Sequence, residues 1–390
     1  MNWKFLLKFS KNSRNKSHFC LNIFNDITYE HQNIIACQLQ RLNLNYCRFE
    51  LPKNFFSSIE DLALGEKNNA SYNQKKTLLR HLKDTKSTAI FLQVPYPEYY
   101  PSWFNSISKK LNLAYAGYGI SLSDYVEGQF NTELIRNSKF LLANSNYDFE
   151  GYNKIESNKA KIILTGNPML YELRKHLSQI SSEVQKKSMI LLWAPHWSQR
   201  WLKDKRGFAR WQVCIDPIFK FASLNPNIKI IVRPHPILRE AIIGEQLGRT
   251  IFNRESLKSW NEDVSPSDKA KLLELFSLKN VSLSDNTMIQ DIIESTHLLT
   301  EGVSILAYWS ATGKPMLLIR DDESPKFNVE GEQLTNKMLQ AQSSNEISEW
   351  LNTSMKKSNL EFNLELQELN RNIYPDLEKS PIEIFFEFIK

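Results

Sequence analysis

Short apolar runs alternate with amphipathic or polar stretches along most of this chain. Runs of about four to eight apolar residues bounded by Gly, Pro, Asn or Ser read as buried strands. Apolar residues at three- and four-residue spacing read as helices. In the first part, strands are expected at His18 to Phe24, Thr88 to Val94, Leu113 to Tyr118, Lys139 to Asn144 and Lys161 to Thr165. Helices are expected at His31 to Asn43, with Ile34, Ile35, Leu39 and Leu42 on one face, at Ser106 to Leu111, from about Ser145, and after Gly166-Asn167-Pro168. Ser58 to Thr85 is polar and helical in pattern, ending in a basic segment with Lys75, Lys76, Arg80 and Lys83. The prolines of PYPEYYPSWF (95–104) exclude regular structure from its first part.

A polar stretch, Lys175 to Lys187, reads as a linker or a surface helix leading to one. The alternation then restarts, with strands at Ser188 to Trp193, Lys229 to Val232, Val281 to Leu283, His297 to Thr300 and Met316 to Ile319. The last two flank a turn, Glu301-Gly302-Val303-Ser304, and a helix from Ile305 to Thr312, with Ser304 as its N-cap and Gly313 just past its end. Pro315 bars continuation. Repeated strand–helix alternation with uniformly apolar strands predicts α/β architecture and parallel sheets. The expected fold is two Rossmann-like doubly wound domains facing across a cleft, a GT-B-like arrangement. The boundaries fall at 1–180 and 187–375, with 376–390 an amphipathic helix packing back through Ile382, Ile384, Phe385, Phe388 and Ile389. Gln340–Asn345 is a polar patch, and no internal repeat is present.

Length agrees with two domains: 390 residues, 42% of them hydrophobic. The charge balance, 49 basic against 43 acidic residues, is mild; it permits an anionic ligand or an inner-membrane surface but does not point to nucleic acid. The four cysteines, Cys20, Cys37, Cys47 and Cys214, form no CxxC pair, so neither a zinc site nor a disulfide scaffold is expected. The apolar run at the start is interrupted by Lys4 and Lys8 and is too short for a signal peptide, and no stretch approaches the ~20 apolar residues of a membrane span. The expected location is the cytoplasm, with peripheral contact at the cytoplasmic face of the membrane left open.

Candidate chemistry sits at strand ends, where open α/β sheets bind ligands. Arg233-Pro234-His235-Pro236 follows one expected strand: the prolines stiffen the backbone, Arg offers a cationic fork for phosphate, and His a donor or a proton. Ala194-Pro195-His196 repeats the layout; function and a local turn are balanced there. In the Glu301–Ser304 turn, Gly302 would allow close approach of a ligand, Ser304 and the helix start suit a phosphate, and Glu301 suits a ribose hydroxyl. An ordinary strand–helix turn is the competing account. His297, at a strand start, reads as structural. Residues 197–212 interleave Arg200, Lys203, Lys205, Arg206 and Arg210 with Trp197, Trp201 and Trp211. They read either as a loop meeting a polyanion or membrane, or as a solvated loop with its tryptophans packed beneath it.

Taken together, PYPEYYP, TGNP (165–168), WAPHWS (193–198), RPHP (233–236) and TEGVSILAYWSATGKPMLL (300–318) resemble the CDP-glycerol glycerophosphotransferases of teichoic-acid and capsule synthesis, over roughly residues 90–320. The resemblance implies transfer of a polyol phosphate from a CDP-linked donor to a hydroxyl of a saccharide or lipid-linked polymer. It implies a donor site at Arg233, Glu301, Gly302, Val303 and Ser304, with His235 or His196 handling protons. Family members carry a His-Gly pair in the first domain as the expected base; the corresponding place here reads Tyr118-Gly119 on the acceptor side, and Tyr is a poor base near neutrality. No Asp-rich cluster is present, so neither a resident metal nor another cofactor is expected. The alternatives are a sugar-nucleotide glycosyltransferase on the same fold and a non-catalytic nucleotide-binding partner of an assembly complex.

Overall fold

The computed structural model describes residues 18–23, 29–50, 76, 79–80, 82–83, 88–96, 100, 102–117, 119–155, 159–179, 188–198, 200–201, 205–236, 238–239, 242–243, 264–357 and 360–390. Expectations made above for Lys4, Lys8, Lys75, Tyr118, Lys203 and the stretch 180–187 lie outside these residues, as does most of 58–85. The chain divides into two compact units: 1–120 with 125–172 and 374–390, and 121–124 with 173–373.

The first unit is built on one parallel sheet of six strands, β1 (His18–Ile23), β2 (Asn45–Glu50), β3 (Ala89–Leu92), β4 (Leu113–Ala116), β5 (Phe140–Ala143) and β6 (Lys161–Leu164), in the order β2-β1-β3-β4-β5-β6. Strands β3 and β4 are buried at every position, as expected where helices cover both faces of a parallel sheet. Helix Tyr29–Arg41 buries Ile35, Ala36 and Leu39. Helix Ser102–Ser108 starts earlier than its sequence pattern indicated, because Trp103, Phe104 and Ile107 share its buried face. The C-terminal helix Pro381–Ile389 is capped by Ser380, whose hydroxyl accepts from the Glu383 amide. It belongs to this unit: Ile382 and Phe385 are fully buried, and the Phe385 ring packs against Phe91 and Phe140.

The second unit has its own parallel six-stranded sheet, made of β7 (Ile190–Ala194), β10 (Lys229–Val232), β11 (Val281–Leu283), β12 (His297–Thr300), β13 (Met316–Ile319) and β14 (Leu339–Ala341), in the order β11-β10-β7-β12-β13-β14. A two-stranded excursion, β8 (Arg200–Trp201) with β9 (Lys205–Arg206), leaves the chain after β7. Helix Trp211–Leu224 follows and buries Trp211, Cys214, Ile215, Ile218 and Phe221 under the sheet. Trp211 therefore belongs to the core, and Arg210 is buried beside it, so neither is available to a membrane or polyanion as the reading of 197–212 allowed. Gly313 has φ +67°, the left-handed backbone expected of the residue that ends a helix, and Lys314 then donates to the carbonyls of Ile292, Ile293 and Ser295 at 2.7, 3.1 and 2.6 Å. The Lys of this GKP segment is thus a cap on the end of helix Met288–Glu294, which precedes β12.

Candidate functional site

Numbered within the second unit, the sheet runs 3-2-1-4-5-6, the strand order of dinucleotide-binding Rossmann domains. The order reverses between β7 and β12, and the carboxyl ends of strands at such a reversal are where open α/β sheets bind ligands. Residues 195–198 follow β7, Glu301–Ser304 follow β12, and the neighbouring β10 delivers Arg233–His235.

The backbone ties these three segments together. Arg233 N donates to the Trp193 carbonyl at 2.8 Å and His235 N to the Pro195 carbonyl at 2.9 Å, which sets RPHP beside the β7 end. Glu301, 1% exposed, accepts at Oε1 from the backbone N–H of His196 at 3.1 Å and of Arg210 at 3.5 Å. Thr300 donates its hydroxyl to the Ala194 carbonyl at 2.6 Å and accepts from Gly302 N at 2.8 Å. A Cβ on Gly302 would lie 3.0 Å from that hydroxyl oxygen. A side chain there would press on the Thr300 hydroxyl, and the Gly302 amide is occupied by Thr300. Ser304 is the first helical residue rather than the N-cap: Val303 already has helical backbone (φ −89°, ψ −63°) and no side-chain cap forms.

The two histidines meet. Their ring centroids are 5.4 Å apart, and Trp197 lies 5.9 Å from each. His196 Nδ1 accepts from the backbone N–H of Ser198 at 3.3 Å and lies 2.8 Å from the Ser198 hydroxyl, so the ring proton resides on Nε2. The Ser198 hydroxyl in turn accepts from Phe208 N at 3.1 Å, and its carbonyl from Ala209 N at 2.8 Å. Gly207 closes this excursion: a Cβ there would lie 1.9 Å from the Ser198 carbonyl oxygen. Burial pushes the His196 imidazole down to about 3, and burial together with the adjacent His196 holds His235 well below the usual range. Neither ring is charged at neutral pH. Burial pushes the Glu301 carboxyl the other way, up to about 8, against the opposing pull of the His196 and Arg210 amides and the Arg210 charge.

The arginines are engaged. Arg233 donates through Nη1 to Asp291 Oδ2 and to the Asn286 carbonyl, both at 2.9 Å. Asp291 is fully buried and also accepts from Ser284 and Asn286. The Arg233 charge is thereby directed at the loop after β11, in contrast to the open phosphate fork read from sequence. Arg210, read from sequence as one cation of the 197–212 stretch, pairs with Asp321 after β13. His297 hydrogen-bonds Thr296 and packs on Trp350, as a structural residue would. In the first unit Gly119 follows β4, one strand away from that unit's own reversal between β1 and β3, and Tyr118 lies outside the described residues. Among the described residues no cluster of His, Cys, Asp or Glu has the arrangement of a metal site, and no helix is long and apolar enough to cross a membrane. The roles of Thr300, Ser198 and Arg210 lie in contacts across the chain that no local pattern shows, and Asp291, inside helix Met288–Glu294, carried no signal at all.

The fold is GT-B-like. A UDP-GlcNAc 2-epimerase from Neisseria meningitidis, bound to UDP-GlcNAc, aligns with 96% of this chain and 99% of its own at 13% identity and a TM-score of 0.54. A further UDP-N-acetylglucosamine 2-epimerase aligns with 97% and 96% at 13% identity and a TM-score of 0.56. The wall teichoic acid polymerase TagF aligns over 96% of this chain and 88% of its own at 10% identity, with a TM-score of 0.54. No family model matches the sequence, and no curated relative matches it.

Proposed function

We propose that this protein is a transferase acting on a nucleotide-diphosphate-linked donor, and that it moves glycerol phosphate or a similar polyol phosphate from a CDP-linked donor to a hydroxyl of a saccharide or lipid-linked polymer. The observation that carries this reading is the convergence of His196, His235 and Glu301 at the reversal point of a Rossmann-order sheet. RPHP and the Glu301–Ser304 turn, which carry the resemblance to glycerophosphotransferases, are two of the three segments that meet there. The likeness in fold to TagF, of which a second structure soaked with CDPG aligns at a TM-score of 0.55 and 11% identity, supports the same reading.

In this reaction the acceptor oxygen attacks the phosphorus bearing the polyol. The bond from that phosphorus to the bridging oxygen breaks, CMP leaves, and the acceptor proton passes to an imidazole of the site. The protein's part is alignment and stabilisation of phosphoryl charge. The diphosphate is assigned to His235, Arg233 and the Val303–Ser304 helix start, and the ribose to Glu301, whose Oε2 has no hydrogen-bond partner. Gly119 and Tyr118 are assigned to the acceptor side. The epimerase neighbours favour a second reading, an enzyme of UDP-linked sugars. Incubation with CDP-glycerol, other CDP-polyols and UDP-GlcNAc separates them. Release of CMP supports the proposal, while release of UDP or conversion of the sugar supports the second reading. Binding without turnover leaves a non-catalytic nucleotide-binding protein.

A further inference from the structure

We propose that Trp197 is a stacking platform for a pyranose ring of the acceptor, so that the group receiving the polyol phosphate is a cyclic saccharide rather than an open polyol chain. This rests on the nucleotide-diphosphate reading above and names the acceptor class for the same site.

Trp193, before it in the chain, and Trp211, after it, are fully buried in the core of the second unit. Trp197 packs on that core as well but stays partly exposed. Its ring centroid lies 5.9 Å from that of His196 at an interplanar angle of 30°, and 5.9 Å from that of His235 at 44°. Phe208 and Phe327, which extend this group of rings, are buried. The basic-aromatic stretch thus delivers to the two imidazoles an indole with part of its surface in water. Its position is fixed from both sides. His196 N donates to Glu301 Oε1, the Ser198 hydroxyl accepts from Phe208 N, and the Ser198 carbonyl accepts from Ala209 N. A surface already held in place loses little freedom when a ligand lands on it.

The neighbours select the ligand. In the reading above the imidazoles mark the reacting phosphorus, and Trp197 is packed against both, so whatever lies on it lies close to that atom. The nucleobase is held away from the transferred phosphorus by the ribose and by the phosphate that leaves with it. Glycerol phosphate and its relatives are open chains with no flat face. The acceptor remains. A pyranose carries axial C–H groups on a flat ring face and hydroxyls around its rim. The electron-rich face of an indole suits the C–H groups, and imidazoles beside it can meet the hydroxyls. An aromatic surface with a few polar groups at its edge is the usual make-up of a small-molecule site. A ring lying flat on Trp197 turns a rim hydroxyl towards the imidazoles, which is the alignment that attack on phosphorus needs.

Saturation-transfer NMR of the full chain, with and without CDP, tests this with methyl β-glucopyranoside as the cyclic probe and glycerol and ribitol as open-chain probes. Saturation of the protein's aromatic resonances should pass to the ring hydrogens of the glycoside and not to glycerol or ribitol. In Trp197→Ala that transfer should vanish, while CDP and inorganic pyrophosphate bind as they do to the parent. Trp197→Phe, with a smaller ring, should bind the glycoside roughly two- to tenfold more weakly than the parent. Transfer undiminished in Trp197→Ala, or equal transfer to cyclic and open-chain probes, overturns the proposal. So does a loss of CDP affinity in Trp197→Ala with pyrophosphate affinity kept, which places the nucleobase on the indole. If Trp197→Ala fails to fold, read as lost pyrophosphate binding, the other two proteins decide. Parental glycoside affinity in Trp197→Phe, or no aromatic transfer in the unsubstituted protein, refutes the platform. CDP bound without the glycoside removes the platform and leaves the donor reading intact. Glycoside bound through Trp197 by a protein with no affinity for CDP supports the platform and removes the CDP-linked donor. Absence of both removes both.

Discussion

Replacing Glu301 by Gln should stabilise the second unit at alkaline pH and flatten its stability profile. Glu301 is 1% exposed and accepts two backbone N–H groups at Oε1, while Oε2 has no partner. Burial raises the carboxyl from 4.5 to about 8. A carboxyl whose folded value lies above its unfolded one binds its proton more tightly in the folded chain. Between those two values stability falls as pH rises, by about 1.4 kcal/mol per pH unit. Across the window from 4.5 to about 8 this one side chain accounts for a loss on the order of 5 kcal/mol, and above it the loss is constant. Gln keeps the Oε1 acceptor for the His196 and Arg210 amides and has no charge to acquire. The stability difference between variant and parent should therefore climb steadily from pH 5 to pH 8 in favour of the variant. Urea unfolding of both proteins at half-unit pH steps, followed by hydrogen exchange in a peptide spanning β12, measures this difference in the unit concerned. Parallel profiles, or a variant less stable than the parent at every pH, would show that Glu301 is ionised in the fold and that its charge is needed to hold the two loops.

Three further outcomes follow from contacts of the same unit. Asp291→Ala leaves Arg233 without its buried partner and should cost about 3–5 kcal/mol of stability, read as a lowered urea midpoint; Arg233→Met together with Asp291→Leu should recover much of it. Thr300→Val removes the hydrogen bond between β12 and β7 and strands the Gly302 amide, for a loss of about 1–3 kcal/mol by the same assay. Gly207→Ala forces a Cβ against the Ser198 carbonyl and should cost about 1–3 kcal/mol, with loss of the Nε2–H tautomer of His196 in nitrogen-detected spectra.

The legible part of this fold is its interior. Strands β3, β4, β12 and β13 are buried at every position, and β7 and β10 at every position but the first, so each carries a short apolar stretch that is legible in the sequence. Of the strands of the two six-stranded sheets, those without a signal in the sequence, β2 and β14, are sheet edges. Leu339 and Gln340 of β14 face solvent, and only Ala341 is buried, so the segment reads as polar. The short helices Val126–Phe130 and Glu133–Asn137 hold too few turns for periodicity to show; their evidence is the Thr132 cap, whose hydroxyl accepts from the Ile135 amide. The helix after the basic-aromatic stretch is hard to read from sequence for another reason. Its tryptophan was counted with the cations before it, although Trp211, Cys214, Ile215 and Ile218 already have helical spacing.

The site divides along the same line. Strand ends can be located from one sequence, and the reversal of strand order then brings Pro195-His196, Arg233–His235 and Glu301 together. Roles depend on partners far away in the chain. Arg233 looks like a free fork until Asp291, on the helix after β11, takes its charge. Lys314 in GKP has the charge a phosphate ligand needs, yet it spends its donors on three carbonyls at the end of helix Met288–Glu294. His196 looks like a second base, but Ser198 holds its Nδ1 and burial keeps it neutral. In each case the deciding contact satisfies a polar group that would otherwise be buried alone, at a cost of about 1–3 kcal/mol or more for a charge. A pattern of residue types marks where such groups gather; only their pairing shows which of them remains to meet a ligand.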